Sequence, residues 1–475
     1  ALSLAKSWLE NCKASHTTCA AVSPFTPTRL LYISTNTLVL HEPPPPATPY
    51  AALSHRWSTS TASVILTLAN FPDRVTLGIR IADIPPLMRD AVHAVRAFGL
   101  EWVWIDSLCI VQDSVEDWKR EAGMMAGVYM GAEVTVAATG WLNGVGVADG
   151  EDEGQWPLLG RGWVYQEQWL SRRMAHFTKK EVVWVCKRAM ACECGWYRFG
   201  VKREGVVEDE ETRPREWKEI VEEYSEREFT RITDRLPALA GIATIHAAAT
   251  TPGRYLCGLW DQDLPGALFW HPKNGVPVSP RPDGAIPTWS WASTAGPVQF
   301  QYADDESAKT KVLSINMTYS GVDVMGDVVE AEIRVSGPVV DAISYHGGMW
   351  KQVLDRGGNS WGEESLERNG GLRIGGKLIT FAPDYALGTD NESFVPDEAS
   401  VVCLLLSSSS LGSWDPDHPE TNEEVQFASG LVLRCVSEEQ GRYQRIGHFE
   451  GWELDDGFEL DAFDTLAQVR HLVLV

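Results

Sequence analysis

One apolar run limits the possible folds of this chain more than any other stretch. It extends from Glu101 to Asp113, is rich in Trp, Val and Ile, and carries the pair Asp106-Ser107 in its middle. Short runs of this composition predict a strand buried on both faces, and in such sheets ligands bind beyond the strand ends. Burying a carboxylate is unfavourable unless it is paired or used. Asp106 is therefore either a hydrogen-bond anchor for the next loop or a site residue.

The segments around this run predict a parallel α/β sheet. Residues 50–54 form an apolar strand, residues 115–129 a helix with Tyr129 on its core face, and residues 133–139 a third strand. Asp83, followed closely by two prolines, predicts the cap of an earlier helix. The order of strand, crossover helix, strand, helix and strand is typical of parallel sheets with right-handed crossovers.

Polar side chains follow the strands at the edge where parallel strands end. They are Ser54, His55, Arg56 and Trp57 after the first strand, and Asp106, Ser107 and Gln112 in the second run. A hydroxyl, a cation and an aromatic plane at one strand end suit a nucleotide, and a turn packed by Trp57 is the alternative. The third strand ends at Thr139, and three converging strand ends favour a pocket there.

A later segment, residues 158–171, adds a candidate acidic group. Its pattern predicts a helix that starts near Gly162 and carries Glu167 on its second turn. The flanking Trp and Leu side chains are apolar, so Glu167 is predicted to point into the protein. A carboxylate in partly apolar surroundings has the raised pKa and reduced hydration that acid–base or cation-stabilising chemistry uses.

A Cys and His pattern near the N-terminus is compatible with a metal site. Residues 2–20 predict an amphipathic helix that runs into a loop. The candidate ligands are Cys12, His16 and Cys19, with a fourth from Cys186, Cys192 or Cys194 if the segments meet. Free buried thiols beside a surface histidine explain the same pattern, and from the sequence we predict no metal.

Composition restricts the partners of the chain. The net charge of -24 argues against nucleic acid, since binding to a phosphate backbone needs a basic face. The 9 Cys are an odd number spread through 475 residues, which fits reduced cytosolic thiols better than a secreted disulfide scaffold. No stretch reaches the roughly 18 apolar residues that a membrane span needs. We therefore predict an acidic, cytoplasmic protein that binds neither nucleic acid nor membrane.

The composition and the hydrophobic periodicity of the sequence change along the chain, and these changes predict three parts. Residues 1–205 form an α/β domain, and residues 206–265 form a helical connection behind a charged surface linker at 202–216. Residues 266–475 contain short alternating segments between Gly, Asp and Pro turns. That pattern predicts a mainly antiparallel, β-rich C-terminal domain.

Three blocks carry the distinctive residues of the chain. They are Tyr50-Ala-Ala-Leu-Ser-His-Arg-Trp57, Trp104-Ile-Asp-Ser-Leu-Cys-Ile-Val-Gln-Asp113 with Asp117, Trp118 and Glu121 behind it, and Arg161-Gly-Trp-Val-Tyr-Gln-Glu167. In this order they resemble the fungal heterokaryon-incompatibility (HET) domain family. The first block departs from the family at His55, where an aromatic residue is common, and at Ser58, where Gly is common.

The resemblance implies a fold and an activity. Because the family has been likened to Toll/interleukin-receptor (TIR) domains, it implies a TIR-like (flavodoxin-like) parallel sheet with flanking helices in residues 1–205. The family is associated with fungal self/non-self recognition and programmed cell death. Some TIR domains cleave NAD with a helix Glu preceded by a Trp, and Trp163-x-x-x-Glu167 resembles that arrangement.

On this basis the chain would be an NAD hydrolase in which Glu167 stabilises positive charge on the ribose as nicotinamide leaves. The predicted catalytic residues are Glu167 and Asp106, and the predicted nucleotide contacts are Ser54, His55, Arg56, Trp57, Ser107, Gln112, Arg161 and Trp163. No cofactor is required, because NAD is the expected substrate. The expected partners are a small-molecule nucleotide and either a second copy of the chain or a fungal incompatibility partner.

Three other functions stay open at this point. The blocks could build the core and assembly face of a non-enzymatic signalling module of the TIR-adaptor type. The fold could serve small-molecule biosynthesis, or the Cys and His residues could make the chain a zinc hydrolase. Loss of stability, rather than of turnover alone, in Glu167→Gln and Asp106→Asn would favour the module. A ligand other than a nucleotide would favour biosynthesis, and metal analysis would test the hydrolase.

Overall fold

The computed structural model divides the chain into two compact units. The first contains Ala1–Arg215 and Arg227–Thr250, and the second contains Glu216–Glu226 and Thr251–Val475. The structure describes residues 1–20, 25–142, 145–146, 156, 158–195, 200–201, 215–273, 279, 281–282, 286–301, 308–319, 328–345, 370–375, 377–387, 395–412, 424–452 and 465–475. The predicted domain boundary at residue 205 and most of the charged linker at 202–216 lie outside the described residues.

Helices occur in both units. They are α1 (Leu2–Ser15), α2 (Thr17–Ala20), α3 (Thr59–Ala62), α4 (Phe71–Thr76), α5 (Pro86–Ala97), α6 (Asp106–Cys109), α7 (Val115–Gly131), α8 (Gly162–Leu170), α9 (Trp217–Ser225) and α10 (Pro237–Thr250). Short 3₁₀ helices span Ile81–Asp83, Ile232–Asp234, Asp261–Asp263, Gly266–Leu268 and Trp291–Ser293. Among the helices described, not one combines the length and the apolar character that crossing a bilayer demands.

Helix α5 corrects one prediction. Asp83 does not cap it, because Asp83 lies in a 3₁₀ turn and accepts hydrogen bonds from the Arg80 guanidinium at 2.7 and 2.8 Å. The helix begins instead at Pro86, with Pro85 in the cap position. The fixed φ of proline suits a first helical turn, so the two prolines mark the start of the helix and the Asp does not.

One large sheet organises the first unit. The strands described in this unit are β1 (Leu30–Ile33), β2 (Thr37–His41), β3 (Ala51–Ser54), β4 (Ile79–Arg80), β5 (Trp102–Trp104), β6 (Val134–Ala137), β7 (Trp141–Leu142), β8 (Val145–Gly146), β9 (Arg173–Phe177), β10 (Val182–Cys186), β11 (Ala189–Cys192) and β12 (Gly200–Val201). The 10-stranded sheet has the order β12-β11-β10-β9-β6-β3-β5-β1-β2-β4, and β7 pairs with β8 alone.

The centre of this sheet is parallel. Strand β3 pairs in parallel with β5 and β6, and β6 pairs in parallel with β9. The outer strands pair antiparallel on both sides. Every residue of β3 and β6 is buried, as expected for strands covered on both faces. The predicted parallel arrangement of residues 50–139 is confirmed, and the complete sheet is mixed.

The apolar run behind β5 differs from the single buried strand that was predicted. The strand covers Trp102–Trp104 only, and the chain then enters α6 at Asp106. Residues 108–111 are buried nevertheless. The hydrophobicity of the run therefore predicted the burial of these residues correctly but not their backbone conformation. The Asp106 carboxylate accepts a hydrogen bond from the backbone N–H of Ser107 at 2.6 Å. Such local bonds compete with a strand ladder.

Antiparallel strands dominate the second unit. They are β13 (Tyr255–Leu256), β14 (Leu259–Trp260), β15 (Trp270–Pro272), β16 (Val298–Phe300), β17 (Lys311–Tyr319), β18 (Val328–Tyr345), β19 (Gly370–Ile374), β20 (Lys377–Pro383), β21 (Ala399–Gly412), β22 (Glu424–Ser437), β23 (Arg442–Trp452) and β24 (Gln468–Leu474). The main sheet has 8 strands, and β24 pairs antiparallel with β18 and parallel with β23. The predicted β-rich C-terminal domain is confirmed.

Candidate functional site

Three elements of the first unit bring predicted site residues to one edge of the sheet. Ser54 is the last residue of β3, Asp106 is the first residue of α6 behind β5, and Glu167 lies on α8. Both Ser54 and Asp106 influence the ionisation of the Glu167 carboxyl. The three sequence blocks therefore meet in one place.

The Glu167 carboxyl is enclosed by protein. The residue is 5% exposed, and burial raises its pKa from the ordinary value of 4.5 to about 7. The nearby charge of Asp106 adds to this rise, while Ser54, Arg161 and Tyr129 favour the carboxylate and limit it. A carboxyl with such a pKa can hold or release a proton near neutral pH.

Helix α8 is held in place by close packing on both sides of Glu167. Gln166 is 1% exposed, and its Oε1 accepts a hydrogen bond from the backbone N–H of Gly241 on α10 at 2.8 Å. Gly162 lies so close to Phe229 that a Cβ atom would be 1.9 Å from ring atom Cε1. Any larger residue at this position would displace the Phe229 ring. These contacts fix the rotation of α8 and with it the buried position of Glu167.

Both carboxylate oxygens of Asp106 bond to the protein. Oδ2 accepts a hydrogen bond from Trp57 Nε1 at 2.6 Å, and Oδ1 accepts one from the backbone N–H of Ser107 at 2.6 Å. His55 Nδ1 lies 3.7 Å from Oδ1, and the Asp106 side chain is 24% exposed. Of the two roles that the sequence left open, these contacts favour the anchor. Asp106 ties the first block to the second and orients the Trp57 indole.

Several buried polar atoms at this edge have no hydrogen-bond partner among the described residues. They are Ser54 Oγ, Nδ1 and Nε2 of His55, Ser107 Oγ and Glu167 Oε2. Ser54 approaches Glu167 closely enough to favour its charged form, but not with the geometry of a hydrogen bond. Buried polar groups are nearly always paired, so these unpaired atoms single out this edge of the sheet as the candidate site.

We expect Ser107→Ala to leave the free energy of unfolding unchanged within about 0.5 kcal/mol, because the hydroxyl that it removes has no protein partner. Ser171→Ala is the matched control. Ser171 is also buried, but its Oγ donates to Glu167 O at 2.6 Å and lies 2.6 Å from Thr135 Oγ1, so a loss of about 1 kcal/mol is expected. Urea unfolding measures both values. Equal losses would contradict an unpaired Ser107 hydroxyl.

The His55 ring is enclosed and neutral. Its side chain is 0% exposed, and burial lowers its pKa, an effect that Asp106 opposes and Arg161 reinforces. Arg161 Nη1 donates to the backbone carbonyl of His55 at 2.7 Å, so the third block lies against the first. A neutral imidazole can donate at one nitrogen and accept at the other, and the ring therefore suits a ligand hydroxyl.

Two of the predicted contacts are occupied by protein. Trp163 Nε1 donates to Asp234 Oδ2 at 3.1 Å, and its ring packs edge-on against Trp118. Gln112 Nε2 donates to the carbonyl of Ile110 at 2.9 Å and so closes its own loop. The structure therefore does not place the polar groups of Trp163 and Gln112 with the unpaired atoms.

A residue of the core face, Tyr129, contributes a hydroxyl that the sequence interpretation did not assign to the site. Tyr129 is 1% exposed and donates to the carbonyl of Leu53 at 3.3 Å. Burial, and then the charges of Glu167 and Asp106, raise the pKa of Tyr129 well above 10. The hydroxyl therefore stays protonated beside Glu167. An apolar stripe predicts the burial of a tyrosine but not the direction of its hydroxyl.

A buried ion-pair network supports the loop behind Asp106. Arg29 is 4% exposed, and its Nη1 donates to the carbonyl of Cys109 at 2.9 Å and to Asp117 Oδ2 at 2.9 Å. Asp117 Oδ2 also accepts from the backbone N–H of Val111 at 2.8 Å. The sequence interpretation missed Arg29. No local pattern pairs Arg29 with Asp117, because the two residues lie 88 positions apart in the sequence.

A cleft of about 350 Å³ opens beside this network. Its charged side chains are largely paired with one another: Arg29 contacts Asp117 at 2.7 Å and Glu42 at 3.1 Å, and Arg120 pairs with Asp117. The cleft therefore offers a ligand fewer unpaired polar groups than the edge of the sheet at Ser54 and Glu167 does.

Three groups of described side chains could hold a metal ion. They are Cys12, His16, Cys19 and Cys186; Glu181, Cys192 and Cys194; and His271, His448 and Glu450. None of these groups includes a predicted nucleotide contact.

Comparison with known proteins gives one match. Residues 50–148 match the family model described as Heterokaryon incompatibility protein (HET). The chain thus carries a HET domain in this range, and the family resemblance drawn from its sequence is confirmed there. The range includes the first two blocks and ends before Glu167. No curated protein and no solved structure matches the chain.

Proposed function

We propose that the first unit cleaves NAD at the bond between ribose and nicotinamide, in a response of the heterokaryon-incompatibility type. One observation carries the proposal: the buried Glu167 carboxyl has a pKa of about 7 and an unpaired oxygen, and it adjoins the unpaired Ser54 hydroxyl. Perturbed, unpaired carboxyl groups of this kind concentrate at functional sites. The HET match over residues 50–148 supports the incompatibility-type role.

The order of the parallel strands supports a TIR-like, flavodoxin-like arrangement. Counted along the chain, β3, β5, β6 and β9 are the first to fourth parallel strands, and across the sheet they lie in the order second, first, third, fourth. Flavodoxin-like sheets share this order and bind ligands where it reverses, beyond the strand ends. The reversal lies between β3 and β6, and Ser54 ends β3 there.

The proposed reaction converts NAD and water into ADP-ribose, nicotinamide and a proton. As the bond from ribose C1′ to the nicotinamide nitrogen breaks, its electron pair leaves with nicotinamide and positive charge develops on the ribose. The Glu167 carboxylate stabilises this charge, which is largest in the transition state. Water then adds to C1′ and releases its proton to solvent.

The side chains around the carboxyl offer groups for the rest of the dinucleotide. Arg161 and the half-buried Arg56 supply positive charge for the diphosphate. The Trp57 indole N–H is held within the protein, which leaves the ring faces for stacking. The unpaired atoms of His55 and Ser107 suit ribose hydroxyls.

Incubation of the purified chain with NAD tests the proposal. We expect nicotinamide and ADP-ribose to appear in equal amounts when the products are separated by chromatography. Heat-unfolded protein is the control. If folded protein releases no nicotinamide between about pH 6 and 9, and calorimetry detects no NAD binding, the proposal is wrong.

Nicotinamide release is expected to increase with pH through neutrality. The carboxylate form of Glu167 does the proposed work, and its pKa is about 7. Below this value kcat/KM should rise roughly tenfold per pH unit, and above it kcat/KM should level off. A profile of initial rates at low NAD concentration measures this dependence. A rate that falls as pH rises through neutrality would contradict the carboxylate as the working form.

A further inference from the structure

Four side chains from distant parts of the sequence meet in the first unit. Cys12 lies on α1, His16 follows that helix directly, Cys19 lies on α2 and Cys186 ends β10. Each offers one ligand atom, and all four atoms lie within 4.8 Å of one another. Of the three potential metal groups in the described part of the chain, this is the one with four ligands.

The local fold explains how one short segment supplies three of these ligands. Cys12 and His16 are four residues apart, so they share one face at the end of α1. The chain then turns into α2, which returns Cys19 toward the same face. A backbone N–H···O bond from Cys19 to the His16 carbonyl, 3.1 Å long, closes this turn.

Burial and distance suit a bound ion. The three cysteines are reduced and between 0% and 2% exposed. Cys186 Sγ lies 3.4 Å from His16 Nδ1. The edge between sulfur and nitrogen in a tetrahedral zinc site is about 3.5 Å, given ordinary zinc–sulfur and zinc–nitrogen bonds.

Two of the sulfurs accept hydrogen bonds from neighbouring groups of the protein. Arg173 Nε donates to Cys12 Sγ at 3.3 Å, and the backbone N–H of Ala189 donates to Cys186 Sγ at 3.2 Å. Three thiolates, a neutral imidazole and one Zn²⁺ carry a single negative charge in total, and the Arg173 guanidinium offsets it. Outer hydrogen bonds of this kind orient the ligands of metal sites.

We propose that these four side chains bind one Zn²⁺ ion in a structural site that fastens α1 and α2 to β10. All four positions of the tetrahedron are protein ligands, so no position stays open for water or substrate, as in structural zinc sites. The sequence left the fourth ligand open among Cys186, Cys192 and Cys194. The structure brings Cys186 to the other three, and the proposal replaces the expectation of free thiols.

Metal analysis of the purified 475-residue chain tests this site. We expect about one zinc per chain in the purified protein, and a fall to roughly a tenth of that or less in Cys19→Ser and Cys186→Ser. Cys194→Ser is the matched control, because Cys194 is an exposed thiol of the neighbouring potential group. Retention of zinc in Cys186→Ser together with its loss in Cys194→Ser would overturn the proposal.

Two measurements on the unaltered chain do not depend on the folding of variants. Cobalt substituted for zinc should give the absorption of a tetrahedral ion with three thiolates. Removal of the metal by a chelator should lower Tm by roughly 10 °C, since binding energy of a structural metal is folding energy. Failure of the reduced, metal-free chain to bind added Zn²⁺, or a disulfide between any two of the three cysteines, would overturn the site.

Discussion

Glu167→Gln is expected to lower kcat/KM for nicotinamide release by roughly 1,000-fold or more while the chain stays folded. The amide has almost the same size as the carboxylate, so the packing of α8 is retained. It carries no negative charge to stabilise the cation that forms on the ribose. Rates of nicotinamide release and circular dichroism of both proteins give the two quantities.

The same substitution is expected to stabilise the protein at alkaline pH. The pKa of Glu167 is about 7 in the folded protein against an ordinary 4.5, so folding favours the protonated form. This stabilising contribution is complete below about pH 4.5 and is lost as pH rises to about 7. Its loss lowers the free energy of unfolding by about 3 kcal/mol relative to the fully protonated protein. Urea unfolding at about pH 5 and pH 8 should show a gain in the variant at the higher pH.

Glu101→Gln is the control for both measurements, because it makes the same chemical change at an exposed residue. It should alter neither turnover nor stability. Full turnover in Glu167→Gln would remove Glu167 from the proposed role. Unfolding of Glu167→Gln at every pH would instead favour the non-enzymatic module, in which the three blocks serve the core.

Arg29→Met is expected to lower the free energy of unfolding by about 3–5 kcal/mol. The substitution leaves the Asp117 carboxylate, whose side chain is 8% exposed, without its closest buried cation. It also removes the donor to the Cys109 carbonyl. Urea unfolding followed by fluorescence measures the loss.

Arg80→Met is the matched control for this prediction. Arg80 also binds a carboxylate through two nitrogens, that of Asp83, but its side chain is 73% exposed. Exposed pairs contribute little to stability, so no measurable change is expected. Similar losses in the two variants would show that burial of the Arg29 pair is not what makes it important.

Local patterns made much of the first unit predictable. Alternation of strand-like and helix-like periodicity gave the parallel centre of the sheet, and the spacing around Gly162 gave α8. The helix at Asp106–Cys109 was not predicted. A run that is apolar throughout shows no hydrophobic periodicity, so it fits a buried strand and a buried helix equally. In the structure the Asp106 carboxylate bonds to the backbone N–H of Ser107, and the backbone of the segment forms helical hydrogen bonds.

The sequence predicted those parts of the site that depend on the order of the parallel strands. Parallel strand ends share an edge, so Ser54 and Asp106 were expected together, and they are. Contacts between distant segments have no local signal: Arg29 meets Asp117, and Cys186 meets the N-terminal cysteines, only because the tertiary fold brings them together. For the same reason the sequence did not show that Trp163 and Gln112 bond within the protein.

After α9 the chain returns to the first unit. This return determines how far a gene fragment must extend if the first unit is to be produced by itself. Residues 216–226 belong to the second unit, yet Arg227–Thr250 belongs to the first. That returning segment provides Phe229, which packs on Gly162, and Gly241, which bonds to Gln166. The matched range 50–148 is thus shorter than the piece that supports Glu167. A gene fragment that keeps this acidic helix anchored must continue through Thr250.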